Sequence, residues 1–309
     1  MKKFQALAVV TAAAVYLQVV LGSVVRITGS GLGCRDWPLC YQHETDRFAY
    51  RTLLEVAHRL FGTAAGVLVL ATAASAFLLL RRRPGGFPRG LWLASAAALG
   101  LYIFQAILGG VTVLMKNSPF TVAIHLGNAE LVLAVLLLVA LWASRVGAAA
   151  SPDRGVSMPL AVIGMAGAFL IVVTGAIVVG TGASSACPSW PLCGASGGLA
   201  DAHMLHRAVV LVASIAILAS SFRAATAWRG RPLGAVAVLT AALLLLEAGV
   251  GAFQVLLGLP PALRSLHVAL ASGVWAGTVL LVAGAWLEGR GRMADLGARP
   301  RLSPLELTS

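Results

Sequence analysis

Four of the six histidines of this chain stand in matched pairs, and all four cysteines stand in matched loops. The stretch EVAHRLFG at 55–62 aligns with HMLHRAVV at 203–210, which places His58 on His206 and Arg59 on Arg207. Gln105 through His125 aligns without a gap on Glu247 through His267, carrying Gly109 onto Gly251 and Pro119 onto Pro261. CRDWPLC at 34–40 returns as CPSWPLC at 187–193. Each half thus offers His58 with His125, or His206 with His267. A lone histidine in a membrane helix more often makes an interhelical hydrogen bond than a metal bond. Two imidazoles on opposite helices of a four-helix bundle are, however, a recurring axial ligand set for haem iron, with apolar helix faces enclosing the porphyrin. Zinc fits less well, because neither half supplies a third nearby Cys or His from its helices.

Around these pairs stand groups that could tune them. Glu55 lies three residues before His58 and shares its helix face, whereas its counterpart is His203. A carboxylate beside only one pocket can act as base, acid or cation stabiliser, or simply pair with Arg51 or Arg59. Arg59 and Arg207 are placed to meet a haem propionate or to anchor at the headgroups. Gly109, Gly110, Gly249 and Gly251 admit either a flat ring or close helix packing. Glu130 and Glu247 fall inside apolar spans and need partners, either each other or a polar neighbour such as Asn128. Five residues between cysteines suffice to close a ring, so Cys34–Cys40 and Cys187–Cys193 are the expected disulfides, each restraining its loop by roughly 2 kcal/mol. His43 belongs to the first of these loops and is expected to be solvated.

The elements that position these groups are membrane helices. The chain is 59% hydrophobic and 11% charged, with its apolar residues in blocks of about 20. Spans are expected near 4–25, 53–80, 91–115, 121–143, 158–180, 201–222, 233–257 and 263–287, because a helix satisfies its own backbone in lipid. The fold class is therefore all-α integral membrane protein, with eight helices as two pseudo-symmetric four-helix bundles, residues 1–150 and 151–309, in a parallel internal repeat. The net charge of +12 would suit nucleic acid in a soluble domain. Here the basic residues cluster in alternate connections instead: Lys2, Lys3, Arg81, Arg82, Arg83, Arg89, Arg145, Arg154, Arg223, Arg229, Arg231, Arg290, Arg292, Arg299 and Arg301. The positive-inside rule makes that side cytoplasmic, so both termini are inside, both cysteine loops lie on the outer, oxidising face, and no nucleic-acid partner is expected. The first apolar run is long enough to stay as a helix rather than a cleaved leader.

Taken together, VVRITGSGLGCRDWPLC at 24–40, LLEVAHRL at 53–60, QAILGGVTVL at 105–114, CPSWPLC and HMLHR resemble the haem A synthase family, and in particular its cysteine-bearing bacterial branch. The likeness covers nearly the whole chain. It implies a bacterial plasma-membrane enzyme that oxidises the C8 methyl of haem O to a formyl group through hydroxylated intermediates, supplying haem A to terminal oxidases. It also implies haem O as substrate on His58 and His125, haem b as cofactor on His206 and His267, and a functional role for Glu55. The resemblance further implies a redox role for Cys34 and Cys40 and a structural one for Cys187 and Cys193. The reaction removes four electrons, so it calls for an acceptor as a partner, alongside membrane lipid and the enzyme that makes haem O; homo-oligomerisation is left open. The same four histidines would also serve a dihaem electron carrier, which has no need of Glu55. A transporter would instead show broken helices around a central site.

Overall fold

The computed structural model describes residues 1–41, 49–83, 86–146, 156–194 and 196–298, with side chains described as far as 290. His43, Arg154, the division at 150 and the last eleven residues of the chain lie outside them. Eight α-helices follow one another: α1 (Lys2–Ile27), α2 (Tyr50–Arg82), α3 (Arg89–Leu114), α4 (Pro119–Arg145), α5 (Met158–Gly180), α6 (Gly198–Ala227), α7 (Pro232–Leu256) and α8 (Pro261–Ala298). All eight are long and apolar enough to cross a membrane, and the chain is a multi-pass membrane protein. Among the described residues there is no strand, and no helix is interrupted, so the discontinuous helices of a transporter are not met. Several helices overrun the spans read from hydropathy, most visibly α6 and α8, because a helix continues through the headgroup layer after its apolar run has ended.

Local sequence explains where helices start and turn. Proline occupies the first turn of α4, α5 and α7, where a missing N–H costs nothing. Ser118 also caps α4, its hydroxyl oxygen accepting the Thr121 N–H at 3.3 Å. The α3–α4 and α7–α8 turns are built alike at positions that match in the ungapped alignment. Lys116 and Asn117 have φ of 51° and 56°, and Gly258 and Leu259 have 73° and 64°. Asn117 N–H donates to Thr112 O at 2.7 Å, and Leu259 N–H donates to Gln254 O at 2.6 Å. Leu259 has no intrinsic liking for this left-handed region, at a cost of about 1–2 kcal/mol. The turn is thus imposed by the helices it joins.

Packing puts the histidine-bearing helices across from each other. In the first half, α1 touches α2, α2 touches α3, α3 touches α4, and α4 returns to α1; α5 to α8 close the same ring. Hence α2 faces α4 and α6 faces α8 across the two rings. The rings meet through α1 with α8, α4 with α5 and α4 with α8. The main apolar core lies there, with Leu133, Leu136, Ile217, Val274 and Trp275 among its buried members. The basic ends gather at one end of the molecule: Phe4 packs edge-on to Phe87, Trp142 packs on Trp286, and Arg290 lies over both tryptophans. At the other end the Asn117 amide donates to Gly31 O at 2.9 Å, joining the α3–α4 turn to the first cysteine loop.

Candidate haem-binding site

Each of the four histidines leans on a glycine of a neighbouring helix. A Cβ at Gly22 would stand 3.0 Å from His58 Cε1, one at Gly109 3.3 Å from His125 Cε1, one at Gly175 3.3 Å from His206 Cε1, and one at Gly251 3.1 Å from His267 Cε1. Any larger residue would push the ring aside. His58 and His125 stand on the opposed helices α2 and α4, and His206 and His267 on the opposed helices α6 and α8, so the structure sets the pairs expected from sequence across from each other. Of the four glycines singled out above, Gly109 and Gly251 face imidazoles, Gly110 faces the Trp37 ring, which a Cβ there would approach to 2.9 Å, and Gly249 faces open space. Gly22 and Gly175 were missed, although extending the cysteine-loop match back along the chain aligns one on the other.

The second contact of each ring decides which nitrogen is bare. His206 Nδ1 is 2.8 Å from Thr174 Oγ1, and that hydroxyl already donates to Leu170 O at 2.7 Å. Thr174 must therefore accept from Nδ1–H, leaving the Nε2 lone pair free. His267 Nδ1 stands 2.7 Å from Glu247 Oε1, a hydrogen-bond separation without hydrogen-bond angles. Two bare acceptors would repel at that distance, so Nδ1 again carries the proton and Nε2 is free. In the first half the donors are amides. Gln18 Nε2 reaches His58 Nδ1 and His58 O, both at 3.0 Å, so its nitrogen end faces the ring and His58 keeps its proton on Nε2. Gln105 Oε1 accepts from Asn128 at 2.8 Å, which turns Gln105 Nε2 onto His125 Nε2 at 3.2 Å and occupies that lone pair. The second half thus leaves the Nε2 lone pair free on both rings. In the first half the amides of Gln18 and Gln105 leave neither ring with a free Nε2 lone pair.

The cysteine loops cap these pairs, and the structure closes both expected rings, with Cα separations of 5.1 Å for Cys34–Cys40 and 5.2 Å for Cys187–Cys193. Arg59 and Arg207 do the same job in each copy. Arg59 donates to Cys34 O at 3.3 Å and also to Asp36 O and Leu39 O, at 2.8 and 3.0 Å. Arg207 donates to Cys187 O at 3.3 Å and Pro191 O at 2.9 Å. Both guanidiniums, expected at propionates or headgroups, are thus engaged by loop carbonyls. Glu55 belongs to the same joint. It is 3% exposed, one oxygen pairing with Arg59 at 2.6 Å and the other accepting the Cys34 N–H at 2.9 Å. It is paired with Arg59, but in the interior rather than on the outer surface. His203, its counterpart, is buried with an unpartnered Nδ1.

The remaining intramembrane acids separate. Glu247 pairs with His267, while Glu130 is fully buried where α4 meets α8, its Oε1 accepting the Ser272 hydroxyl at 2.5 Å and its carbonyl accepting Trp275 Nε1–H at 2.9 Å. Neither is the other's partner, and Asn128 serves Gln105 and Leu101 O instead. Gln18 and Thr174 carried no signal, since they do not match across the repeat. Gln105 and Glu247 did carry one, as the first aligned pair of the second block.

The donor chemistry fits a planar macrocycle with two axial sites. Two imidazoles converge in each half, small residues stand beside each ring, and among the described residues no cluster of three or more His, Cys, Asp or Glu could hold a metal by itself. The chain is 33% identical to the haem A synthase of Geobacillus kaustophilus over 262 residues, which is 81% of this chain and 80% of that one. It is 29% identical to the haem A synthase of Symbiobacterium thermophilum over 293 residues, covering 89% and 93% of the two chains. The Lysinibacillus sphaericus haem A synthase is 28% identical over 279 residues, 85% of this chain and 89% of its own. Residues 5–279 match the family described as cytochrome oxidase assembly protein, COX15-CtaA, and to that family this chain belongs.

Proposed function

We propose that the chain is a haem A synthase, a membrane oxidoreductase that converts the C8 methyl of haem O to a formyl group. Two parallel copies of a four-helix unit divide the work: residues 1–150 take the substrate on His58 and His125, and residues 151–309 hold haem b on His206 and His267. One observation carries this division, the contrast between amide donors on the first pair and acceptors on the second. A resident cofactor wants both Nε2 lone pairs presented permanently. A substrate that must enter and leave is better served by ligands that are held elsewhere until it arrives.

Haem b on the second pair would supply a one-electron relay toward an external acceptor. The protein's own groups do the rest. Thr174 and Glu247 fix the two imidazoles, and the apolar faces of the helices exclude water. Glu55 ties the Cys34–Cys40 ring to the helix that carries His58, so the loop, the carboxylate and the ligand move together. Taking a proton from substrate would require Glu55 to release Arg59 or the loop, which places acid–base work at the moment the lid shifts. The basic ends face the cytoplasm and the cysteine loops face outward.

Pigment extraction and mass analysis of purified protein tests the reading. Haem O, its alcohol or haem A is expected beside haem b in the native chain, and Glu55→Gln is expected to keep haem b while losing conversion. Haem b alone, with no conversion of haem O in cells that make it, would point to the electron carrier.

A further inference from the structure

On the lipid-facing side of α6 and α7, far from the histidines, a groove opens at the basic end of the molecule. Its wider part, about 740 Å³, runs from Arg229 and Arg231 up to Val238, and a second part of about 340 Å³ continues to Leu218 and Ala241. The two parts share Phe222, Ala225 and Val238 and so form one channel. Phe222 and Val238 rise as walls, 70% and 60% exposed, while Ala237 forms a floor with no exposure. From Leu218 to Arg229 the groove follows α6 for about 17 Å, the reach of a long acyl chain. Apolar walls thus lead to two guanidiniums at one end.

Those guanidiniums differ. Arg231 Nη1 lies 3.4 Å from Glu288 Oε1, and Glu288 also accepts the Nε1–H of fully buried Trp228 at 2.9 Å. Arg231 is therefore held in place and half neutralised. Arg229 is exposed, and its guanidinium has no hydrogen bond or ion pair among the described residues. The rim keeps one uncompensated positive charge beside a slot shaped for a single alkyl chain. An uncharged isoprenoid would leave that charge unmatched, and a zwitterionic headgroup would bring its own cation against it. We propose that this groove is a binding site for one anionic phospholipid, with its phosphate on Arg229 and Arg231 and one acyl chain laid between α6 and α7.

Native mass spectrometry of the full chain, supplied with phosphatidylglycerol, phosphatidylcholine or inorganic phosphate, tests this. One phosphatidylglycerol is expected to be retained over phosphatidylcholine by about fivefold, the factor expected of one surface arginine. Arg229→Gln leaves the Arg231–Glu288 pair intact and should abolish the preference. Val238→Trp fills the groove from its exposed wall and should lower retention of both lipids. Arg82→Gln, at the same end but outside the groove, should change nothing, and thermal melts report whether each variant is folded. Equal retention of the two lipids by the native chain would overturn the proposal. So would a preference that survives Arg229→Gln, retention indifferent to Val238→Trp, or displacement of the lipid by inorganic phosphate alone.

Discussion

Glu247 offers the sharpest probe of how the second pair is made. Its carboxylate stands 2.7 Å from His267 Nδ1, and the two side chains are 8% and 26% exposed, so solvent does little to screen the contact. A well-aligned hydrogen bond to a charged group is worth about 1.5–3 kcal/mol, and the angles here put this contact toward the lower end of that range. Losing it frees the ring to rotate and lets Nδ1 compete for the wrong tautomer, and partners of this kind typically govern ligand affinity by about 10- to 100-fold. Glu247→Ala should therefore speed haem b loss by that factor, with Glu247→Gln falling between it and the native chain because the amide keeps an acceptor but not the charge. A second consequence has a definite sign. A carboxylate on Nδ1 makes the imidazole more electron-rich and favours oxidised iron, so its removal should raise the midpoint potential. Soret absorbance during transfer of haem to apomyoglobin reads the first effect, and a potentiometric titration reads the second. Gln105→Ala, at the matched position of the first half, should leave both readouts alone and impair conversion of haem O. Unchanged haem release and an unchanged midpoint in Glu247→Ala, or those changes appearing in Gln105→Ala, would falsify the assignment.

His206→Ala or His267→Ala should remove tightly held haem b from purified protein, whereas His58→Ala or His125→Ala should keep it and block turnover; the haem-to-protein ratio separates the two. Ser272→Ala strips the Glu130 carboxyl of its hydroxyl donor and should destabilise the fold by about 1–3 kcal/mol, read as a lower melting temperature, with Glu130→Gln in the same background recovering part of the loss. Arg59→Ala should speed reduction of Cys34–Cys40 by added thiol without touching Cys187–Cys193, and Arg207→Ala should do the converse, measured by alkylation and peptide mapping.

What the sequence disclosed follows from which forces are periodic along the chain. Hydropathy located all eight helices because the bilayer sets their length, but it missed how far α6 and α8 continue, since past the hydrocarbon core there is no apolar signal to read. The four histidines were legible because they stand at positions that match between the two halves of the sequence. The same logic would have found Gly22 and Gly175. Gln18 and Thr174 were beyond it, as each serves only one copy and comes from a helix whose register can be known only after packing. For Arg59 and Arg207 the sequence did not disclose the loop carbonyls that hold them. A guanidinium at the end of a membrane helix could snorkel to headgroups or bind a carboxylate, and only the fold of a loop some twenty residues away shows that carbonyls are waiting there.

The two halves hold their histidines at matching positions but surround them with different residues, and three of those differences touch the histidines or the loops above them. Glu55 against His203 changes how the lid is fastened, with a buried ion pair in one copy and a buried imidazole whose Nδ1 has no partner in the other. Gln105 against Glu247 changes a donor into an acceptor beside the second ligand, and Gln18 against Thr174 does the same beside the first by using residues that do not align. The two last changes act in the same direction on both members of a pair, although they arise on different helices and from unrelated residues. Chance has no reason to coordinate them, whereas the proposed division, with one half keeping its ligand and the other exchanging it, would.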